Sequence, residues 1–163
     1  MKKLMFWGLV LFSYQYFGYA QEKAMEAISL PERLEGLARL LDVRHSPNPV
    51  YAEQLTEDRF VWKHDTRVMA PTDYVIIEFG AFLKTQDGWY LRTSMKPKDF
   101  DRLFKAKKGK LEAGRTYTYK KNWRYSPKLF GGDALWYFIA KNEKGEKVCG
   151  YQLVQTRGEL KSN

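Results

Sequence analysis

Tyr74-Val75-Ile76-Ile77-Glu78-Phe79-Gly80-Ala81-Phe82-Leu83-Lys84 is the stretch whose reading decides the fold. Val75, Ile77, Phe79, Ala81 and Leu83 recur with a period of two, which places them on one face of a strand. Asp87-Gly88 has turn chemistry, and Trp89 to Met95 returns as a second strand, so the whole reads as a β-hairpin. On its C-terminal side, Pro97 opens a short helical turn with Phe100, Leu103 and Phe104 at i, i+3, i+4 spacing, and Gly109 closes it. Further on, Ala134 to Lys141 is nearly all apolar and reads as a strand covered on both faces. Asn142 to Gly145 is hairpin-turn sequence, and Glu146 to Gln155 is the return strand.

On the N-terminal side the reading changes. Ser29-Leu30-Pro31-Glu32 has the form of a capping box with proline in the first turn. Leu30, Leu34, Leu37 and Leu41 follow at helical spacing, which predicts an amphipathic helix over about 30–41 with its leucine stripe inward. Ser46-Pro47-Asn48-Pro49 is expected to end it as a linker, with strands from about Arg59 onward. The expected fold class is mainly β (α+β): an antiparallel sandwich or barrel carrying one N-terminal helix and a short mid-chain helix. The expected organisation is a signal segment at 1–20, helix and linker at 21–50, and one β domain at 51–163.

The signal expectation rests on residue chemistry. Lys2 and Lys3 precede an apolar run from Leu4 to Phe12, and Gly18-Tyr19-Ala20 then offers small residues ahead of polar Gln21-Glu22-Lys23. The run falls short of the roughly 20 apolar residues that span a bilayer, so cleavage and export to the periplasm or exterior are expected, with no stable membrane insertion afterwards. Beyond residue 20 the chain keeps 19 aromatic residues, too many for a disordered tail.

Two short patterns resemble immunoglobulin-like and fibronectin-type domains. Leu111-x-x-Gly114-x-x-Tyr117 resembles their tyrosine-corner region, and Tyr137 to Gly145 resembles a later strand and its turn. The resemblance implies a sandwich.

Charge supplies the main functional expectation. Residues 21–91 carry 8 basic and 12 acidic side chains, residues 92–128 carry 13 and 3, and residues 129–163 carry 5 and 4. The middle segment alone is therefore net +10 within a chain of formal charge +9. Such a block attracts polyanions. The candidate ligand-binding residues are Lys105, Lys107, Lys108, Lys110, Arg115, Lys120, Lys121, Arg124 and Lys128, with Trp123 as a stacking surface. Strand alternation puts Tyr117 and Tyr119 on a face opposite most of these cations, so the two tyrosines are expected in the core, and Asn122 is a point where the strand can break.

Catalytic groups are few. The only histidines are His45 and His64, and His64 and its neighbour Asp65 would point to opposite faces of a strand. Cys149, the single cysteine, lies in a strand and is expected as a buried apolar residue. The carboxylate pairs Glu57/Asp58 and Asp99/Asp101 sit in polar surface contexts. No phosphate-cradling loop, dinucleotide fingerprint or nucleophile elbow occurs, and neither zinc nor calcium spacing is present. His45, His64, Met69 and Met95 are the residues that could ligate haem, but no spacing pairs them. The expectation is a non-catalytic, cofactor-free binding domain for an anionic polymer or acidic protein surface. The alternatives are a small glycan hydrolase and a structural subunit that assembles through a strand edge.

Overall fold

The computed structural model describes residues 29–162. The predicted signal segment at 1–20 lies outside them. The chain divides into two units, residues 1–33 and 34–163, and of the first only 29–33 are described. The second is built of β-strands and one short α-helix.

Two long strands form its spine. β6 (Tyr74–Thr85) and β11 (Gly132–Lys141) pair antiparallel, flanked by β7 (Gly88–Met95) on one side and β12 (Lys147–Leu160) on the other. The sheet continues past β12 through β3 (Val50–Thr56) and β4 (Arg59–Trp62) to the edge strand β10 (Arg124–Ser126). With the two-residue strands β1 (Ala38–Arg39) on β12 and β8 (Lys110–Leu111) on β6, it is nine-stranded among the described residues. A second sheet orders β2 (Asp42–Ser46), β5 (Asp65–Met69) and β9 (Thr116–Tyr119). The architecture is mainly β: a curled half-barrel sheet, a small sheet and one short helix.

The predicted hairpin is present, with Thr85 opposite Gly88 and the turn glycine at φ +116°. Its expected face is not continuous. A bulge in the β6–β11 register lies between Glu78 and Ile76, so Tyr74 and Ile76 are buried before it and Phe79 and Ala81 after it, while Val75 is exposed. The extra residue at Ile77 shifts the alternation by one position. β11 is buried on both faces, as its composition predicts.

The short helix α1 (Pro97–Phe104) also forms where expected. Pro97 occupies the first turn, the Asp99 carboxylate accepts the Lys96 amide at 3.2 Å, and Lys105 ends the helix at φ 55°. Its buried Phe100 and Phe104 meet Phe79 of β6 edge to face, and Phe79 stacks on Phe138 of β11 at 5.6 Å. Burying each of these rings contributes about 2–3 kcal/mol. Tyr117 is buried in this core and Tyr119 packs against it, as expected. Cys149 is fully buried, and burial pushes its thiol up to about 11.

Three expectations are corrected. The N-terminal helix over 30–41 is absent: a 3-10 turn at Glu32–Leu34 gives way to Gly36 at φ +73° and then to β1. The amides of Leu40 and Leu41 donate to the Cys149 carbonyl at 2.9 and 3.1 Å, so this segment satisfies its backbone on β12 and not within a helix. Gly150 makes the contact possible, because a Cβ there would stand 2.5 Å from the Leu41 backbone oxygen.

Ser46 to Pro49 is no free linker, and strands begin before Arg59. Asn48 donates to the Leu153 carbonyl at 2.8 Å and accepts the Gln155 amide at 3.0 Å, fastening the β2–β3 connection to β12.

Finally, the main sheet is mixed, not an antiparallel sandwich, since β12 runs parallel to both β1 and β3. The Tyr117 hydroxyl does accept the Glu112 amide at 3.3 Å, so the resemblance holds as a local turn and not as a fold.

Candidate functional site

Two chain crossings join the edge of the main sheet to the small sheet. Lys63-His64 links β4 to β5, and Lys120 to Trp123 links β9 to β10. β9 ends at Tyr119, the chain turns through Lys121 at φ 59°, and Asn122 follows, buried along with His45, His64 and Thr66.

These residues form an oriented polar chain. His45 Nε2 lies 3.2 Å from the Gln152 carbonyl, which can only accept, so Nε2 carries the proton. Its Nδ1, 3.1 Å from Thr66 Oγ1, then accepts the hydroxyl proton, and Thr66 in turn accepts from Asn122 Nδ2 at 2.8 Å. Burial pulls His45 down to about 3; the charge His64 would carry adds to this, and the Gln152 carbonyl opposes it. The imidazole is neutral, and its tautomer is fixed.

His64 packs edge to face on His45, with ring centroids 5.6 Å apart. Neither of its ring nitrogens has a hydrogen-bond partner among the described residues. Burial holds it down to about 4, against the pull of the Asp65 charge and of a Trp62 backbone contact that falls short of hydrogen-bond geometry. Asp65 is engaged elsewhere, accepting the Lys121 amide at 2.9 Å, so the two neighbours form no orienting pair.

His64 forms part of the wall of a cleft of about 380 Å³ on the half-barrel. Ala81 and Ala134 leave space in the sheet, and Trp123 and Trp136 supply broad apolar faces. The exposed Arg92 and the half-buried Arg124 also line it. Arg92 is the extra residue of a bulge in β7, since Thr93 pairs with Ala81 and Leu91 with Phe82. Gly80 lies under that bulge, where a Cβ would stand 2.0 Å from the Thr93 carbonyl oxygen. The Arg124 guanidinium sits 4.1 Å from the centre of the Phe130 ring, which itself packs on Trp62. Burial and then the like charge of Arg92 lower the Arg124 pKa. Neither has a carboxylate partner among the described residues, and no Asp or Glu lines the cleft.

The sequence-predicted basic residues fall into two groups. Lys105, Lys107, Lys108 and Lys110 follow α1, where the Gly109 carbonyl accepts the Ile76 amide at the start of β6. Lys110 pairs with Asp73 at 2.9 Å, and Arg115 pairs with Glu112 at 2.6 Å. Lys120, Lys121 and Trp123 lie on the crossing, Arg124 on β10 and Lys128 just beyond it; of these Trp123 and Arg124 line the cleft, which also contacts β6 at Ala81 and Leu83. Phe104 and Tyr119 pack with ring centroids 5.8 Å apart, so Lys105 and Lys120, which follow them, sit on neighbouring elements, and neither lines the cleft. The structure therefore brings Trp123 and Arg124 to the cleft, together with Arg92, Asn122, His64 and Trp136, which charge counting did not single out. A sequence cue existed for the buried polar chain beside the cleft: in β2, Val43 and His45 alternate inward, which marks a histidine on an apolar face.

No protein-family model and no curated protein matches the chain. Among solved structures, a Northeast Structural Genomics Consortium target, SoR45, is similar over 78% of this chain and 95% of its own, with a TM-score of 0.51 at 9% identity. A Bordetella pertussis protein designated ApaA, target BeR40, is similar over 78% of this chain and 99% of its own, with a TM-score of 0.43 at 11% identity. The likeness to SoR45 is one of fold, the β-rich half-barrel.

Proposed function

We propose that the chain is an exported, non-catalytic binding domain that engages an anionic partner, a polymer or an acidic protein face, through segment 92–128. The observation that carries this reading is that Arg92 and Arg124 both line a cleft whose lining holds no carboxylate. Two neighbouring guanidiniums repel, and a bridging anion relieves that repulsion. Their planar forks match carboxylate, sulfate or phosphate oxygens. Lys120, Lys121 and Lys128 extend the positive field around this centre. The lining favours binding over the hydrolase alternative, which asks for two convergent carboxylates or a histidine held by one. Export is supported by the charged, apolar and small-residue order of residues 1–20.

The test is retention on a sulfated-polysaccharide resin across a salt series. The unchanged protein should be held at low salt and released steeply as salt rises. Arg92→Gln with Arg124→Gln should release earlier, with a salt slope lower by about 1 for each cation removed. Free passage at low salt would sink the reading.

A further inference from the structure

Both ends of the main sheet line one cleft. Arg92 and Thr93 come from β7, one end strand, and Arg124 and Tyr125 from β10, the other, with lining residues of β6, β11 and β12 between them in the sheet order. A closed barrel has no strand edges, whereas this curled sheet leaves a seam with two. Among the described residues β7 pairs with β6 alone, and none of its residues from Tyr90 to Met95 is fully buried. Such an edge presents backbone N–H and C=O groups that a further strand can bond. β7 has eight residues and β10 three, so β7 offers the longer ladder. Charge marks the seam as well. Arg92 and Arg124 stand on its two edge strands without carboxylate partners among the described residues, and the lining holds no Asp or Glu. The bulge at Arg92 and its charge act against pairing with a neutral or basic strand.

Resting on the anion-binding reading, we infer that the seam takes an extended acidic peptide of a partner protein, added as a strand to β7 with its carboxylates at Arg92 and Arg124. Alternate side chains of a strand share a face, so acidic residues at every second position present their charges to the cleft together. The peptide backbone supplies the donors and acceptors that answer the β7 edge at the strand repeat, and alternate side chains read the cleft. A sugar or nucleotide polymer brings the charge without that backbone repeat. A second copy of this chain fits less well, because its own β7 or β10 would set Arg92 or Arg124 against like charge.

The experiment is calorimetric titration of the full chain with a peptide of alternating glutamate and valine as long as β7, joined to hydrogen exchange on the complex. The controls are the same peptide with glutamine for glutamate, and the same peptide N-methylated at alternate amides in either phase. The acidic peptide should bind, and the glutamine peptide should lose about tenfold or more, because charge-assisted bonds are lost. N-methylation in one phase should also lose about tenfold or more, because the amides that donate to β7 are blocked. Exchange between Tyr90 and Met95 should slow with the acidic peptide and not with a sulfated oligosaccharide. Arg92→Gln with Arg124→Gln should erase the preference for glutamate over glutamine. Equal affinity for the parent peptide and both N-methylated forms, or unchanged exchange in β7, overturns the inference. Self-association of the chain alone that protects the same amides would give the edge to a second copy and overturns it too. If the peptides fail while the resin still retains the protein through Arg92 and Arg124, the anion-binding reading survives and the added strand is wrong. If both fail, both are wrong.

Discussion

His45 and His64 show how burial changes what a side chain does. Each has its folded pKa lowered from 6.5, to about 3 and about 4 respectively. The unfolded chain therefore takes up protons at a pH where the folded one stays neutral. Stability from this source is full above pH 6.5 and drains as pH falls toward 3, with a slope of about 1.4 kcal/mol per pH unit for each histidine. The lowered carboxyls of Asp73, Asp99 and Glu112 act in the same direction, but only once pH drops below their ordinary values of 3.8, 3.8 and 4.5. Between pH 6.5 and 4.5 the slope thus belongs to the histidines. Urea denaturation at pH 7, 6 and 5 should show it, and His64→Gln should roughly halve it. An unchanged midpoint across that range would mean the two rings are not sealed from water.

At the scale of elements, what was legible was what local chemistry controls. The β6–β7 hairpin has its period of two and its Asp87-Gly88 turn, and α1 has Pro97 and an i, i+3, i+4 set of aromatics, so neither needs a distant partner to be recognised. The 30–41 segment has an equally good local pattern and forms no helix, because the Cys149 carbonyl of β12, far beyond any local window, accepts the Leu40 and Leu41 amides. Gly150 is the residue that lets this happen. Gly150→Ala should push the 37–41 segment off β12, costing about 2–4 kcal/mol by overpacking and loss of the Leu40 and Leu41 bonds. Hydrogen exchange should then quicken at Leu40 and Leu41 while the α1 amides keep their protection. Uniform loss of protection would instead assign the glycine to the whole core. The bulge that exposes Arg92 was hidden for a similar reason, since it is set by pairing with β6 and has no signature within β7.

Across the whole molecule, the basic segment divides between residues that line the cleft and residues that do not. Trp123 and Arg124 reach the cleft after β9 ends at Tyr119 and the chain turns through Lys121 at φ 59°, whereas Lys105 to Lys110 follow α1 and line no part of it. Lys107 and Lys108 do not line the cleft. Under the proposed anion-binding reading they act only through the long-range field, which is screened beyond a Debye length of about 8 Å at physiological ionic strength. Lys107→Glu with Lys108→Glu should slow association by about threefold to tenfold in dilute buffer and leave dissociation unchanged. The same pair should have little effect on either rate at physiological salt. Arg92→Gln with Arg124→Gln should do the opposite, speeding dissociation at every salt concentration because the contact itself is lost. Stopped-flow or surface-immobilised kinetics with one sulfated oligosaccharide separates the two. If the lysine variants speed dissociation as much as the arginine variants, the two groups make one contact surface, and the cleft is not its centre.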